Sequence, residues 1–341
     1  MIIDLRSDTV TKPTTEMLEK MFNAQVGDDV FGDDPTVKEL EKKAANMFGM
    51  EDALFCTSGT LSNQIAIKAH TRPGDEVICD QLSHIYLYEG GSIAQNSLCS
   101  VKLLNGDRGR ISAEQVANAI NNPEDIHLPL SRLVSLENTM NKGGGCYYDW
   151  NEIQEIKNVC ETNQLGLHLD GARLFNALVE TNETPQQFGE TFDSISICLS
   201  KGLGCPVGSI LLGKKDFIKK SRRIRKAMGG GWRQAGYLAA AGIFALDNNI
   251  NRLKEDHNRA KQIGEILENL PYIQNIFPIE TNIVIFELPN SILASTYVSK
   301  LAAEGILAVT FGKHLVRFVT HLDFTDTHLD YFRKTIKKFA L

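Results

Sequence analysis

A single lysine, Lys201, lies just beyond an apolar run of the kind that forms a buried strand. The run covers residues 195–199, and the lysine stands in the segment Ser200-Lys201-Gly202-Leu203-Gly204. The glycines let the backbone approach a ligand without a Cβ in the way. An amine at the carboxyl end of a strand can reach an aldehyde in a crevice and form an imine with it. The segment therefore predicts a Schiff-base lysine, although a lysine beside Gly-x-Gly is also typical of a solvent-facing turn.

A carboxylate, Asp170, occupies the same relative position at the end of a second short apolar run, Leu165 to Leu169. If both runs are strands of one sheet, a carboxylate and an amine meet at their ends. This pair suits pyridoxal 5'-phosphate, because the carboxylate keeps the pyridine nitrogen protonated while the lysine carries the aldehyde. Taken alone, an aspartate in this place is typical of a helix N-cap. Together, the two residues predict pyridoxal phosphate as the cofactor.

Small hydroxylated residues and a glycine follow a third apolar stretch, at Ser58, Gly59 and Thr60, before a helical pattern resumes. A helix that begins there would direct its free N–H groups and the positive end of its dipole toward an anion. An ordinary helix cap would explain the same residues. Ser58, Gly59 and Thr60, which we call the phosphate cup, nevertheless occur in chain order with the aspartate and the lysine. We therefore predict that Ser58, Gly59 and Thr60 hold the cofactor phosphate.

The elements that would position these groups alternate along the chain. From Pro35 onward, helical patterns alternate with short apolar strands, which predicts an α/β fold with a mainly parallel sheet sandwiched by helices. Ligands of such sheets bind beyond the carboxyl ends of the strands. After Leu246 the pattern changes to that of a small α+β module. We therefore predict an N-terminal arm over the active site (residues 1–34), a large cofactor-binding domain (35–248) and a small C-terminal domain (249–341).

Composition argues against several classes of protein. The 341 residues carry a net charge of −6, which gives no general attraction to nucleic acid or to anionic membranes. The basic segment 214–226 is therefore expected to be a solvated helix face or an interface. The seven cysteines lack metal-site spacing, so no metal is expected. Reduced thiols, an N-terminus charged too early for a secretory signal, and an apolar stretch 235–246 too short for a bilayer predict a cytoplasmic protein.

Five segments together resemble the low-specificity L-threonine aldolases, which are fold type I pyridoxal phosphate enzymes of the aspartate-aminotransferase-like superfamily. The resemblance runs from Ile3 to about Thr320 and rests on residues 3–11, 27–35, 136–139, 168–173 and 199–204. It implies a fold type I transferase-like architecture. It also implies retro-aldol cleavage of L-threonine, L-allo-threonine and related 3-hydroxy amino acids to glycine and an aldehyde.

The same resemblance implies roles for residues around the substrate. Arg173 and Arg317 are candidates to clamp its carboxylate with bidentate guanidinium groups, and Ser7 would add a hydroxyl. Arg173 is also expected among the cofactor-binding residues. His84 would stack on the pyridine ring near the substrate hydroxyl, and His127 would lie near the same hydroxyl. Either histidine or an ordered water could take the proton. His168 is assigned no catalytic role, since it precedes Asp170 by two and is expected to be a satisfied strand residue.

Two further cations are expected at the cofactor phosphate. By resemblance, Arg233 reaches the phosphate of a neighbouring subunit, and Lys226 precedes it on the same segment, before the glycines 229–231. The resemblance thus implies a homo-oligomer: a dimer with shared sites, assembled into a tetramer.

Two other function classes remain open. A β-eliminating lyase acting on another amino acid would use the same cofactor residues but would need a general acid for its leaving group. A non-enzymatic sensor that binds pyridoxal phosphate would use the basic segment for DNA. Such regulators usually carry an appended DNA-binding domain, and no helix-turn-helix pattern precedes Ile3, which disfavours this second alternative.

Overall fold

A computed structural model gives the fold of residues 1–338; the last three residues of the predicted small domain lie outside the described residues. The strands are β1 (Ile3–Asp4), β2 (Asp52–Cys56), β3 (Glu76–Asp80), β4 (Ser100–Leu104), β5 (Ser131–Glu137), β6 (Gly166–Gly171), β7 (Ser194–Cys198), β8 (Ser209–Gly213), β9 (Asn275–Ile276), β10 (Ile283–Glu287), β11 (Ile306–Leu307), β12 (Val309–Thr310) and β13 (Leu315–Val319). The helices are α1 (Thr15–Phe22), α2 (Pro35–Phe48), α3 (Gly59–His70), α4 (His84–Leu87), α5 (Ala113–Ala119), α6 (Trp150–Thr162), α7 (Leu174–Leu178), α8 (Pro185–Thr191), α9 (Lys215–Ala227), α10 (Gly236–Asn248), α11 (Leu253–Glu268), α12 (Ala294–Ala303) and α13 (Asp326–Lys338). A 3₁₀ turn covers Asp8–Val10, and a π-helical turn covers Ile93–Ser97.

The central sheet contains seven of the described strands, in the order β2-β8-β7-β6-β5-β3-β4. β8 is antiparallel to both of its neighbours, and the remaining neighbours are parallel. β3, β7 and β8 are buried along their whole length, as expected for strands covered by helices on both faces. The predicted α/β class with a mainly parallel sheet is confirmed.

The register of the sheet brings the predicted motifs to one edge. Cys56, at the end of β2, and Cys198, at the end of β7, both pair with Ser209 of β8. Asp170 of β6 pairs with Glu137, the last residue of β5. The chain therefore leaves β2, β5, β6 and β7 at the same side of the sheet, and the residues that follow these strands meet there.

The basic segment 214–226 and the apolar stretch 235–246 both form helices that pack into the fold. The basic segment forms α9, where Arg225 is buried and pairs with Asp29 at 2.7 Å, while Arg222 is bidentate to Glu41 at 3.1 and 2.7 Å. Part of its charge thus neutralises internal carboxylates instead of facing solvent. The apolar stretch forms α10, and within residues 1–338 no helix has the length and apolarity needed to cross a membrane.

The C-terminal module has its own sheet and hydrophobic core. β12, β13, β10 and β9 form an antiparallel sheet in that order, packed with α11, α12 and α13. The first residues of the chain join this module, because β1 pairs with β11 and both Ile3 and Leu5 lie in its core. Farther along the predicted arm, α1 packs on α10 of the large domain. The arm therefore links the two cores and passes the edge where the motifs meet.

Candidate active site

A cavity of about 370 Å³ opens where the large domain, the small domain and the N-terminal arm meet. Five of the predicted site residues line it: Ser7, His84, Arg173, Lys201 and Arg317. Its remaining lining includes Thr9, Tyr88, Asn141, Val309, Thr310 and Phe311. Tertiary structure thus brings together side chains from six separate parts of the sequence.

Lys201 reaches the cavity from a turn that begins three residues earlier, at the end of β7. The turn closes with a hydrogen bond from the Gly204 N–H to the Lys201 carbonyl at 2.9 Å, and Gly204 has a φ of +80°. That left-handed conformation favours glycine and explains Gly204, whereas a Cβ at Gly202 would lie 2.9 Å from Leu253 Cδ2. Within residues 1–338 the Lys201 amine makes no hydrogen bond, and the nearby Asp8 carboxylate interacts with its charge. The amine is therefore available to a ligand in the cavity.

Asp170 is only 2% exposed and lies near the end of β6. Its Oδ1 accepts a hydrogen bond from the Ala172 N–H at 3.1 Å, and its Oδ2 accepts one from Asn63 Nδ2 at 2.9 Å. Neither partner carries charge. A buried carboxylate held by neutral donors remains able to pair with a cation that enters the cavity.

A second buried carboxylate, Glu89, lies beside Asp170 and His84. Polar atoms of the three side chains lie within 4.8 Å of one another, which is compact enough for a metal ion. However, Glu89 already accepts hydrogen bonds from Asn63, Gln64 and His84. The cluster is therefore explained as a hydrogen-bonded network.

His84 begins α4 and is partly buried at the cavity wall. Its Nδ1 lies 3.1 Å from Glu89 Oε1, so the ring donates to the carboxylate and Nε2 is left for other partners. Burial by itself would lower the pKa of His84. The hydrogen bond to Glu89 and the negative charges of Asp170 and Glu137 outweigh burial and raise the pKa above its ordinary value of 6.5.

Glu137 is a buried carboxylate that holds the backbone of this wall. Its Oε2 accepts the backbone N–H of His84 at 2.7 Å, and its Oε1 accepts the backbone N–H of Asn141 at 2.9 Å. Burial and the negative charge of Asp170 raise the pKa of Glu137 to about 7. Glu137 thus fixes the backbone at two points of the cavity wall.

The predicted phosphate cup forms the start of α3. Ser58 is the N-cap, and its hydroxyl accepts the backbone N–H of Leu61 at 3.2 Å. Gly59 and Thr60 form the first turn, whose N–H groups have no partner within a helix. A Cβ at Gly59 would lie 3.8 Å from Cys198 Sγ, so this helix terminus adjoins the strand end that leads to Lys201.

Arg173 is a buried cation with a buried partner. Its Nε and Nη2 donate to the two oxygens of Asp8, both at 2.7 Å, and the two side chains are 6% and 0% exposed. The charge of Arg173 outweighs the effect of burial and holds the pKa of Asp8 well below its usual range. The Nε and Nη2 donors of Arg173 are therefore already occupied by Asp8.

Arg317 is the contrasting cation, on β13 of the small domain. Its neighbours Val316 and Phe318 face the domain core, so by alternation Arg317 faces the cavity. Its donors reach only neutral acceptors, Asn141 Oδ1 at 2.8 Å and the Arg6 carbonyl at 2.9 Å, and its buried Nε has no partner. Burial and the positive charge of Arg173 lower its pKa to about 10. Within residues 1–338, Arg317 forms no ion pair.

Seven predicted residues are not part of the lining of this cavity: Ser58, Gly59, Thr60 and Asp170, described above, and His127, Lys226 and Arg233. The last three lie in other surroundings. His127 is 86% exposed and lies 3.0 Å from Asp125. Lys226, on α9, lines a separate cavity of about 680 Å³ with Arg222 and Arg225. Arg233 is 58% exposed and pairs with Asp28 at 2.8 Å. A single chain does not bring these three residues to Lys201.

Several residues of the site were not predicted from the sequence. Asp8 and Glu137 fall inside segments that carried the family resemblance, but they were given no role. Glu89 and Asn63 had no local signal beyond a charge and an amide in helical or turn sequence. His168 was expected to be a satisfied strand residue, and both of its ring nitrogens do have partners, Ser194 at 2.8 Å and Asn63 at 3.2 Å.

Known proteins resemble the chain over nearly its whole length. A family model described as beta-eliminating lyase matches residues 4–290. The low specificity L-threonine aldolase of Escherichia coli (strain K12) is 42% identical over 325 residues, which cover 94% of each chain. The probable low-specificity L-threonine aldolase 2 of Arabidopsis thaliana is 38% identical over 98% of this chain and 96% of its own. Among solved structures, that of Leishmania major threonine aldolase has a TM-score of 0.86 at 23% identity, covers 98% of both chains and shows the same fold.

Proposed function

The chain belongs to the beta-eliminating lyase family and, within it, to the low-specificity L-threonine aldolases, and on this premise we propose the reaction that its cavity carries out. The protein uses pyridoxal 5'-phosphate to cleave L-threonine, L-allo-threonine and related 3-hydroxy amino acids to glycine and an aldehyde. One observation carries the proposal: a lysine amine and an arginine that have no carboxylate partner within residues 1–338 converge with a histidine in one cavity.

The residues present fit the cofactor. Lys201 offers an amine without a hydrogen-bond partner among the described residues, and Asp170 offers a buried carboxylate held by neutral donors. Ser58, Gly59 and Thr60 offer a helix N-terminus that suits a phosphate. When bound, pyridoxal phosphate supplies an electron sink for the charge that develops when a bond to Cα breaks.

Arg317 provides the orientation that selects the bond. A carboxylate takes both oxygens onto one guanidinium, and Arg317 has donors that are now satisfied only by neutral oxygens. Binding a substrate carboxylate there pairs a charge that the protein leaves unpaired. Ser7 lines the same cavity, and Arg173, held by Asp8, adds positive charge beside it.

His84 is the base that the geometry favours. Its Nδ1 is committed to Glu89, which leaves Nε2 to accept the proton of a substrate hydroxyl, directly or through a water. His127 would have to move or act from a partner subunit, because it is exposed and bonded to Asp125 in the single chain. We therefore place the proton-accepting role on His84.

The site is shared between subunits of a homodimer, and two such dimers form a tetramer. Lys226 and Arg233 lie outside the cavity of their own chain, and Arg233 is more than half exposed on the segment that follows the glycines 229–231. A phosphate gains from additional cations, so delivery of Arg233 by the partner would couple cofactor retention to assembly. Mixing Lys201→Ala protein with Arg233→Ala protein should restore activity through hybrid dimers that contain one intact site. A fully active monomer in sedimentation would contradict sharing.

The seven cysteines are all free thiols buried in the fold, which suits a reducing compartment, and we place the protein in the cytoplasm. Cell fractionation with a cytoplasmic marker tests this location. Enrichment of the protein in a membrane or secreted fraction would contradict it.

The reaction is tested by incubating the purified protein with pyridoxal phosphate and L-threonine. Glycine and acetaldehyde in equal amounts are the expected products, and L-allo-threonine should give the same pair. Release of ammonia and a keto acid instead would identify the β-eliminating alternative. A bound cofactor without turnover of any amino acid would favour a sensor.

A further inference from the structure

Asn63, on the second turn of α3, is in hydrogen-bond contact with three titratable side chains. Its Nδ2 lies 2.9 Å from Asp170 Oδ2 and 3.0 Å from Glu89 Oε1, and its Oδ1 lies 3.2 Å from His168 Nε2. Asn63 itself is 1% exposed, so these contacts account for its polar atoms in a dry environment. The proposed reaction assigns it no role.

Resting on the proposed function, we propose that Asn63, oriented by His168, is a positioning residue that aims Asp170 at the cofactor ring and, through Glu89, aims His84 into the cavity. One amide thereby links the carboxylate that serves the cofactor to the carboxylate that holds the base.

The direction of each hydrogen bond from Asn63 to His70 follows from the two carboxylates that Asn63 contacts. Carboxylate oxygens accept, so Asn63 donates both of its N–H groups, and its oxygen must accept from His168 Nε2. Burial lowers the pKa of His168 to about 3, so the ring is neutral and its Nδ1 accepts. Ser194 therefore donates to His168 at 2.8 Å and accepts from His70 Nε2 at 2.8 Å.

A rotated Asn63 amide is excluded by the same argument. Rotation by 180° about the Cβ–Cγ bond would place the amide oxygen against Asp170 and Glu89 and the N–H groups against the N–H of His168. Both contacts would then be repulsive, and buried unsatisfied donors and acceptors are costly. His168 thus acts on Asp170 only through the orientation of Asn63.

A neutral amide suits this position better than a cation would. Within residues 1–338, neither Asp170 nor Glu89 forms an ion pair with lysine or arginine. An arginine in place of Asn63 would satisfy Asp170 and compete with the ring nitrogen for it. Asn63 instead fixes both carboxylates and leaves their negative charge for the ring nitrogen and for His84.

The experiment compares Asn63→Leu with Asn121→Leu. Asn121 is a matched control, because its Nδ2 also donates to a buried glutamate, Glu76, at 2.9 Å, but at the opposite edge of the sheet. With pyridoxal phosphate added, we expect Asn63→Leu to lower kcat about ten-fold or more with little change in KM. We also expect it to weaken the Kd for the cofactor and to change its visible absorption band, while Asn121→Leu leaves all of these near wild type.

Equal kcat, Kd and absorption band in the two variants would overturn the proposal. If the wild-type protein does not cleave threonine, the proposed function fails, and the cofactor Kd and absorption band still decide the role of Asn63.

Two His168 variants keep the proposal testable if Asn63→Leu does not fold. A glutamine amide can reach the position of Nε2 and donate to Asn63, whereas leucine cannot. His168→Gln should therefore stay near wild type in cofactor Kd and absorption band, and His168→Leu should shift both in the direction expected for Asn63→Leu. Identical behaviour of the two His168 variants would contradict the positioning role.

Discussion

The two walls of the cavity differ in the buried charges that lie at or behind them. Behind His84, on the large-domain wall, lie the buried carboxylates Asp170, Glu89 and Glu137, whose hydrogen bonds come from neutral groups or from His84. The small-domain wall holds Arg317, which meets only neutral acceptors. The carboxylates on the first side could pair with a protonated ring nitrogen or take up a proton. Arg317 on the other side could pair with a carboxylate. On the proposed function, this division would favour an amino acid bound to the cofactor.

Removal of the Lys201 amine from the large-domain wall should cause the largest loss of activity. Lys201→Ala should reduce turnover to the limit of detection and abolish the yellow chromophore, because no other lysine amine lines the cavity among the described residues. Absorbance and glycine release measure the two effects, with Lys142→Ala as the control, since Lys142 lies near Tyr88 and Phe311 but outside the lining. A borohydride-reducible adduct that persists on a different lysine would refute the assignment.

Neutralising a carboxylate of the same wall should come next in size. Asp170→Asn retains the shape of the side chain and should still accept the cofactor, but a neutral amide does not keep the ring nitrogen protonated. We expect the loss of most of the activity, on the order of 10²-fold in kcat. A kcat within a few-fold of wild type would show that the negative charge of this wall is dispensable.

The same substitution at two arginines separates the walls further. Arg317→Lys loses the fork geometry toward substrate, so kcat/KM for threonine should fall about ten-fold or more, ~1.4 kcal/mol, while the free energy of unfolding changes little. Arg173→Lys breaks a buried bidentate pair with Asp8, so its free energy of unfolding should fall by about 1.5–3 kcal/mol. Urea unfolding gives the free energy of unfolding of both variants, and steady-state kinetics give their kcat/KM. Greater destabilisation by Arg317→Lys, with normal kcat/KM, would reverse the comparison.

The smallest expected effect is a shift in the pH profile. As a base, His84 must be neutral, so activity should rise with pH through the pKa of His84, which the nearby carboxylates raise above 6.5. Glu89→Gln removes one of these negative charges and should lower that pKa, so the acidic limb of kcat/KM should move to lower pH. An unmoved limb would mean that His84 is not the base or that Glu89 does not act on it.

The fold class and the family could be predicted from the sequence alone, because alternating apolar and helical segments and short motifs are local features. Lys201, Asp170 and Ser58 stood out because each lies at the end of an apolar strand or a few residues beyond it, and parallel strands bring such positions to one side of the sheet. The family resemblance, confirmed by relatives about 40% identical, rested on five short segments, two of which contain Asp170 and Lys201.

Which of the buried charges are paired could not be predicted from the sequence, because it depends on the packing of distant elements. Nothing local indicates that Arg173 faces Asp8, 165 positions away, or that Arg317 faces no carboxylate. Asn63 likewise contacts Glu89 and Asp170, which lie 26 and 107 positions away from it in the sequence. The physical reason is that periodicity and turn chemistry report a residue's own element, whereas the electrostatic state of a buried group depends on which distant elements pack against it.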